Sequence, residues 1–332
     1  MKKIFQSVSG PLLLVIFIWT MKYWLSLPFA TELTIYTIFV MGCDFLYGGL
    51  GMVSFGQPVY MSLGAYATAF YLAFWGSNPL IGILIAILAG VVAGAILGPV
   101  FVRLRGDYFA LINLAACAIG FFLVMKVLQG FTGADDGIWY RSRMSVLPLL
   151  DIRFPKQFFT FLLIVFFCTV IFYRYILGSA FGTACRAIKD NERKAQFLGY
   201  NPFRIKWTGF TLSCALSAFS GSLFAINFGF VNPSLGEPLR AAEVLVCTLL
   251  GGAGTVYGPF FGAFTFLGIK NIVSKYMVSG WEAVLGALTM ILLFIIGKGI
   301  WSGISAIWES KFGHTKFSRA LGWSSDIKRD VT

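Results

Sequence analysis

The sequence contains ten candidate apolar runs, nine of them long enough to cross a membrane, and these runs limit the possible folds more than any other feature. A helix needs about 20 apolar residues to cross the hydrocarbon layer, with about 17–25 tolerated. Of the 332 residues, 58% are hydrophobic and only 12% are charged, which leaves too little polar surface for a water-soluble fold. We therefore predict an all-α, polytopic transmembrane helical bundle with glycine-rich breaks. The spans are expected at 11–27, 33–50, 57–75, 79–102, 108–128, 157–177, 206–228, 240–252, 256–272 and 282–300.

The region 240–272 can be read as one long helix or as two, and the basic residues favour two. The glycine-rich stretch 251–259 would interrupt a helix. With ten spans both termini are cytoplasmic, and 17 of the 26 Lys and Arg residues then lie on the cytoplasmic side, as the positive-inside rule expects. We predict a membrane domain over 1–300, which includes a cytoplasmic loop at 178–205, and a basic cytoplasmic tail over 301–332.

Composition argues against several functional classes. The net charge of +12 is explained by membrane topology, so no nucleic-acid partner is expected. Six scattered cysteines form no CxxC pair, which makes disulfides and a metal site unexpected. The only histidine, His314, lies in the tail, and the predicted spans hold few carboxylates: Asp44, Glu243 and, at the start of the last run, Glu282. Because no acids converge with a histidine, we predict no catalytic residues and no enzyme activity.

The cytoplasmic loop contains a polar segment with helical periodicity over 183–198. Ala184, Ile188, Ala195 and Leu198 fall on one face of such a helix, and charged residues occupy the other faces. Gly199 stands where a helix favours a left-handed C-terminal residue. The pattern fits a helix presented to a partner, and it also fits an ordinary solvated loop helix.

Two glycine-rich strings resemble each other in order and type, at 48–58 and 251–259. Paired broken segments in the two halves of a transporter often mark the transport pathway, where unwound backbone can face substrate or water. The alternative is that each string is a tight turn between neighbouring helices.

Small residues recur every four positions in two of the predicted spans. The first stripe is in 79–102, and the second is in 206–228. Such stripes let helix backbones approach closely in lipid, so they predict packing and give no chemistry. The stripes consist of Gly90, Gly94 and Gly98 in the first run and of Ser213, Ser217, Gly221 and Ala225 in the second.

The chain lacks the GxxxxGK[ST] phosphate-binding loop. If transport is driven by ATP, another subunit must hydrolyse it. A short helix with an apolar face and a charged rim suits docking into a groove on such a subunit.

Five motifs in order resemble the permeases of branched-chain amino-acid ABC importers, the LivM type in particular, from about residue 40 to 297. They are LGMVSFGQ at 50–57 followed by GAY at 64–66, RLRGDYFA at 103–110, TGADDGI at 132–138, RAIKDNE at 186–192 with Gly199, and LGGAGT at 250–255 with Gly258-Pro259.

The resemblance implies a multi-pass subunit of the bacterial inner membrane that moves branched-chain or related small amino acids. Its partners would be a second, similar permease, two ATPase subunits that hold ATP and Mg²⁺, and a periplasmic solute-binding protein. No cofactor is expected in this chain. The 183–198 helix would be the coupling helix, with its apolar face docked on an ATPase. The coupling residues would be Ala184, Arg186, Ala187, Ile188, Asp190, Asn191, Glu192, Ala195, Leu198 and Gly199.

Polar residues and glycines in the predicted spans and breaks are candidates for the transport pathway, although polar residues within spans also serve as contacts between helices. Gln57 stands where the family usually carries histidine. The candidates are Asp44, Ser54, Gln57, Asn113, Asn227, Glu243, Gly251, Gly252 and Gly254.

Three alternatives remain open at the sequence level. The same architecture could import urea or short amides. A stand-alone secondary transporter or channel would need an ion-coupling site, for which Asp44 with Glu243 is the only candidate pair. An intramembrane enzyme would need the same two carboxylates to converge. Otherwise Asp44 is a polar group satisfied by the neighbouring glycine-rich break.

Overall fold

The computed structural model describes residues 10–12, 14–20, 26–104, 106–133, 136–140, 154–276, 281–296, 299–301 and 303. These residues form helices and one short pair of strands. The helices are α1 (Gly10–Thr20), α2 (Leu27–Asp44), α3 (Gln57–Phe70), α4 (Pro79–Phe101), α5 (Asp107–Phe122), α6 (Gln129–Thr132), α7 (Pro155–Gly178), α8 (Ala180–Asp190), α9 (Glu192–Phe197), α10 (Pro202–Phe228), α11 (Leu239–Gly251), α12 (Gly258–Tyr276) and α13 (Trp281–Ile296).

Irregular segments extend or join these helices. π-Helical turns continue α2 through Phe45–Gly49, α3 through Tyr71–Trp75 and α5 through Leu123–Val127. The strands β1 (Ile138–Trp139) and β2 (Phe230–Val231) pair antiparallel. A 3₁₀ turn at Pro233–Gly236 follows β2.

Helix α10 is the centre of the bundle and packs against α2, α3 and α4. Small residues allow these close contacts, because a Cβ at Gly221 would overlap the Met61 carbonyl and one at Gly64 would overlap the Ala218 carbonyl. On the α4 side, a Cβ at Gly90 would come within 2.6 Å of Ala218 Cβ. The glycine and serine stripes of the sequence therefore lie at the contacts between helices.

Serine hydroxyls add hydrogen bonds between α10 and its neighbours. Ser213 Oγ donates to the Gly42 carbonyl at 2.5 Å, and Ser220 Oγ donates to the Ile35 carbonyl at 3.0 Å. Both serines are fully buried. A hydroxyl inside a membrane protein needs such a partner, because no water is available there to satisfy it.

Five helices among the described residues are long and apolar enough to cross a membrane. Four of them coincide with the predicted runs to within four residues, and α11 and α12 are separate helices, as the interruption at 251–259 predicted. Much of the predicted tail, residues 304–332, lies outside the described residues. The five helices are Leu27–Gly49, Pro79–Phe101, Asp107–Val127, Pro155–Gly178 and Pro202–Phe228.

The boundary between the first two predicted runs is wrong. Ser26 lies outside a helix and Leu27 begins α2, so the run 11–27 is not one helix and the run 33–50 starts six residues late. Pro28 suits the first turn of a helix, where its missing N–H is not needed. Glu32 is exposed, and its charge therefore does not prevent the helix from starting before it.

Candidate functional site: the coupling helices and the glycine-rich breaks

The predicted single helix at 183–198 is wrong, because the segment forms two helices. Helix α8 begins earlier, at Ala180, where Ser179 Oγ accepts a hydrogen bond from Gly182 N at 3.3 Å. The chain breaks at Asn191, whose side chain caps α9 by accepting a hydrogen bond from Lys194 N at 3.0 Å. Both residues are strong helix-capping types. Gly199 has a φ of +88°, the left-handed conformation that its position predicted.

Three of the four residues on the predicted apolar face pack against the chain itself, which corrects the prediction that the whole face docks on a partner. Ala184, Ile188 and Ala195 are at most 4% exposed, whereas Leu198 is 76% exposed. Helical periodicity identifies the buried face but not what buries it. Burial also raises the pKa of the Cys185 thiol to about 12, so this thiol stays protonated at neutral pH.

The surface that remains free combines two apolar side chains with charges. Phe197 is 91% exposed beside Leu198, and the charged side chains of Arg186 and Asp190 are also exposed. Glu192 faces inward and pairs with Lys206 of α10 at 2.9 Å. This ion pair fixes α9 to the start of α10.

The two glycine-rich breaks touch each other next to α8. A Cβ at Gly48 would overlap the backbone of Gly254. Gly254 has a φ of +80°, which favours glycine. Asp44 is fully buried at this junction: Oδ1 accepts a hydrogen bond from Gly254 N at 2.7 Å, and Oδ2 accepts one from Tyr173 Oη at 2.6 Å. Asp44 therefore connects α2, the second break and α7.

Lys189 connects α8 to the same junction. Its Nζ donates to the Gly48 carbonyl at 3.0 Å, and its side chain lies close to Gly51, where a Cβ would come within 2.9 Å of Lys189 Cγ. A displacement of α8 would therefore act directly on the first break and, through Gly48 and Asp44, on the second.

A polar cavity of about 630 Å³ lies between α8 and α9 and the first break. Its walls include residues 50–53 of the break, Asp107 at the start of α5, and Glu192 and Lys206. Helices α8 and α9 thus border an open polar space beside the first break, while their buried face stays packed against the bundle.

The pathway candidates of the first break lie deep in the bundle. Ser54, Gln57 and Asn113 are all fully buried. Gln57 Oε1 accepts a hydrogen bond from Ser217 Oγ at 2.5 Å, and Ser54 Oγ accepts one from Gly56 N at 3.3 Å. Asn113 Nδ2 donates to the Phe109 carbonyl at 2.8 Å. Among the described residues, Gln57 Nε2 and Asn113 Oδ1 are buried without a partner.

The remaining pathway candidates are dispersed. Glu243 pairs with Lys270 of α12 at 3.1 Å and accepts a hydrogen bond from Tyr36 Oη at 3.5 Å. Its partners differ from those of Asp44, so the two carboxylates do not share a site in this structure. Asn227 is half-buried near the end of α10. Gly251 ends α11, and Gly252, with a φ of +103°, opens the second break.

Sequence reasoning missed three residues at these sites. Lys189 was within the predicted coupling helix but was not assigned a role, and Tyr173 and Lys270 lie within apolar runs. A lysine inside an apolar run was a usable signal, because charged residues within spans are uncommon and have partners. No group of three or more His, Cys, Asp or Glu residues that could hold a metal ion occurs in the described part of the chain.

Comparison with known proteins shows that the chain matches one protein family. The profile of the family described as "Branched-chain amino acid transport system / permease component" matches residues 26–296. The permease protein LivM of the high-affinity branched-chain amino acid transport system of Salmonella typhimurium is 27% identical over 281 residues, which cover 76% of this chain and 64% of LivM. The corresponding LivH of Escherichia coli K12 is 25% identical, with 80% of this chain and 90% of LivH covered.

A relative named for a different substrate also matches. The nucleoside ABC transporter permease protein NupC of Lactococcus lactis is 26% identical, with 68% of this chain and 79% of NupC covered. No solved structure matches the chain. The profile match spans most of the sequence, and the apolar helices make the chain a multi-pass protein of the bacterial plasma membrane. The chain therefore belongs to the family of branched-chain amino acid transport permease components.

Proposed function

We propose that this chain is the permease subunit of an ATP-driven importer for branched-chain or related small amino acids. A second permease, two ATPase subunits and a periplasmic solute-binding protein would complete the importer. The LivM and LivH relatives support the amino-acid substrate. The absence of a phosphate-binding loop from the sequence supports a separate motor subunit.

The contact between α8 and the paired breaks is the observation that supports this function most directly. The Lys189–Gly48 hydrogen bond joins the coupling helix to the first break. Gly48 packs directly on Gly254 of the second break, and the Asp44–Gly254 hydrogen bond joins the end of α2 to that break. Movement of α8 by the ATPase subunits would shift both breaks together. Helices α2, α3, α11 and α12 flank these breaks, so the shift would alternate access to the pathway by movement of whole helices.

The docking surface in this proposal is the free face of α8 and α9. Phe197 and Leu198 supply its apolar contact, while Arg186 and Asp190 set the register by charge. The buried face, with Ala184 and Ile188, holds the coupling helices to the bundle. This division of roles lets an ATPase move the helices and the bundle together.

The substitution Lys189→Met tests the coupling. It keeps an unbranched side chain and removes the hydrogen bond to Gly48. We expect leucine uptake and substrate-stimulated ATP hydrolysis by the reconstituted importer to fall about tenfold, since a charge-assisted hydrogen bond contributes roughly 1.5–3 kcal/mol and about 1.4 kcal/mol corresponds to a factor of ten. Lys189→Arg retains a charged donor and is expected to restore part of both activities.

The control is Lys275→Met, which removes an exposed lysine at the far end of α12. Uptake by Lys189→Met at the parent level would contradict the coupling role. The substrate is tested separately with a panel of leucine, isoleucine, urea and a nucleoside. Saturable, ATP-dependent uptake of a compound other than an amino acid would replace the proposed substrate and leave the coupling result standing.

A further inference from the structure

A second polar cavity lies at the opposite end of the bundle from the coupling helices. It has a volume of about 300 Å³ and is formed by the start of α2 and the second half of α12. Glu32 of this cavity precedes Gly48, the residue that Lys189 of α8 contacts, by 16 residues. That separation is about 24 Å along a helix, so the cavity and α8 lie near opposite ends of α2 and its π-helical extension. The lining includes Glu32, Lys270, Asn271, Ser26, Phe29 and Leu267.

This cavity combines one negative and one positive side chain with an apolar wall. The Glu32 carboxylate and the Lys270 ammonium line the same space. Asn271 and Ser26 add neutral polar groups. Phe29 and Leu267 are at most 6% exposed and provide the apolar surface.

Lys270 of this cavity also pairs with Glu243, which lines a smaller cavity. Its Nζ is 3.1 Å from Glu243 Oε1, and the two side chains are 28% and 15% exposed. Glu243 lines the neighbouring cavity of about 140 Å³, whose other walls include the apolar side chains of Val246, Phe266 and Leu285. One member of the ion pair thus lines each cavity, and the pair is only partly shielded from solvent.

We propose that this pair of cavities binds a free α-amino acid on its way through the permease. Glu32 would accept hydrogen bonds from the α-ammonium group, and Lys270 would donate to the α-carboxylate. The Lys270 side chain is only 28% exposed, and a charge that is partly shielded from water attracts an opposite charge more strongly than in water. A volume near 300 Å³ is at the lower end of the roughly 300–1,000 Å³ range of small-molecule sites. A substrate carboxylate would replace Glu243 as the partner of Lys270, and the aliphatic side chain would enter the smaller, mainly apolar cavity.

The proposal rests on the proposed transport of amino acids, so the experiment measures binding and uptake separately. The complete importer is purified in lipid nanodiscs without its solute-binding protein, and saturable binding of radiolabelled L-leucine is measured. We expect Glu32→Gln and Lys270→Gln each to raise the Kd for leucine about tenfold, the effect of losing about 1.4 kcal/mol. Lys270→Arg keeps the charge and should bind close to the parent level.

Two leucine analogues assign each charge to its group. 3-Methylbutylamine lacks the carboxylate, and 4-methylpentanoate lacks the ammonium group. We expect the parent to prefer leucine over both analogues, Lys270→Gln to lose the discrimination against the amine, and Glu32→Gln to lose the discrimination against the acid. A fold defect alone would not produce this crossed pattern. The matched controls are Lys275→Gln and Glu237→Gln, both exposed and outside the cavity.

The outcomes separate the site from the function. Parent-like leucine binding in both variants, or no saturable binding by the parent, overturns the site. If the same parent complex imports leucine with ATP, the proposed function then stands without it. The crossed pattern in a complex that imports no leucine would support the site and overturn the proposed substrate.

Discussion

Helices α10 and α4 pack against each other, yet they are built in opposite ways. Helix α10 is the more buried, with 72% of its most apolar stretch inside the protein, and this stretch has a mean hydropathy of 1.5. The most apolar stretch of helix α4 is only 22% buried, and its mean hydropathy is 2.9. The more hydrophobic helix is therefore the more exposed one, because lipid is its solvent.

The difference lies in which residues each helix turns inward. The buried face of α4 is formed largely by glycines, and its large aliphatic side chains such as Leu88 and Ile96 point outward. The buried surface of α10 carries serines that bond to α2 and α3. In lipid, helix association depends on close packing and hydrogen bonds rather than on the hydrophobic effect. High hydropathy in this chain thus reports contact with lipid, and small or polar residues report the core.

The largest expected effect tests the close packing of α10. Gly221→Ala places a Cβ against the Met61 carbonyl, which cannot move without displacing α3. We expect the free energy of unfolding to fall by about 1–3 kcal/mol, the usual cost of overpacking. The measurement is the denaturation of the purified protein in mixed detergent micelles with increasing SDS.

The matched control for this change is Gly268→Ala in α12, where a Cβ meets nothing within 4 Å. There alanine should stabilise the helix by about 0.5–1 kcal/mol, because it restricts the unfolded chain more than glycine does. Equal changes in the free energy of unfolding at the two glycines would contradict the requirement for close packing at Gly221.

A smaller effect is expected from the hydrogen bonds of α10. Ser217→Ala removes the donor to Gln57 Oε1 and leaves that oxygen buried. We expect a loss of about 0.6 kcal/mol, the average for hydrogen bonds between membrane helices, and up to about 1.7 kcal/mol. Ser222→Ala is the control, since the Ser222 hydroxyl bonds to the Phe219 carbonyl of its own helix. If Ser222→Ala lowers the free energy of unfolding more than Ser217→Ala does, hydrogen bonds between helices do not stabilise the protein more than those within a helix.

The same contrast explains which parts of the fold could be predicted from the sequence. The apolar runs of the lipid-facing helices α4, α5 and α7 predicted their bounds closely, because lipid exposure imposes a continuous apolar stretch. The start of α2 was missed because Glu32 interrupts such a stretch, and the division at Asn191 was missed because a single capping residue decides it. Apolar periodicity identified the buried face of α8 but not its partner, which is the chain's own bundle.

The candidate site was less predictable than the fold. The residues that meet there are far apart in sequence: Asp44 bonds to Gly254 and Tyr173, and Lys189 bonds to Gly48. The glycine-rich strings predicted two breaks, but nothing in a single sequence places one break against the other. The charge of Lys270 within an apolar run indicated a partner. Which carboxylates and cavities lie beside it could be known only from the fold.

The smallest expected effect is at the lipid-facing side of α4, and it is measured by comparing the same deletion of one methylene on the two helices. Ile226 of α10 is 2% exposed and Ile96 of α4 is 67% exposed. Ile226→Val leaves a small void among fixed neighbours and should lower the free energy of unfolding by about 0.5–1.5 kcal/mol. Around Ile96, lipid chains can fill the space, so Ile96→Val should stay within about 0.5 kcal/mol of the parent, as exposed substitutions usually do. The SDS titration measures both. A cost at Ile96 equal to that at Ile226 would mean that another protein surface, such as a second permease, covers this face of α4 under the conditions measured.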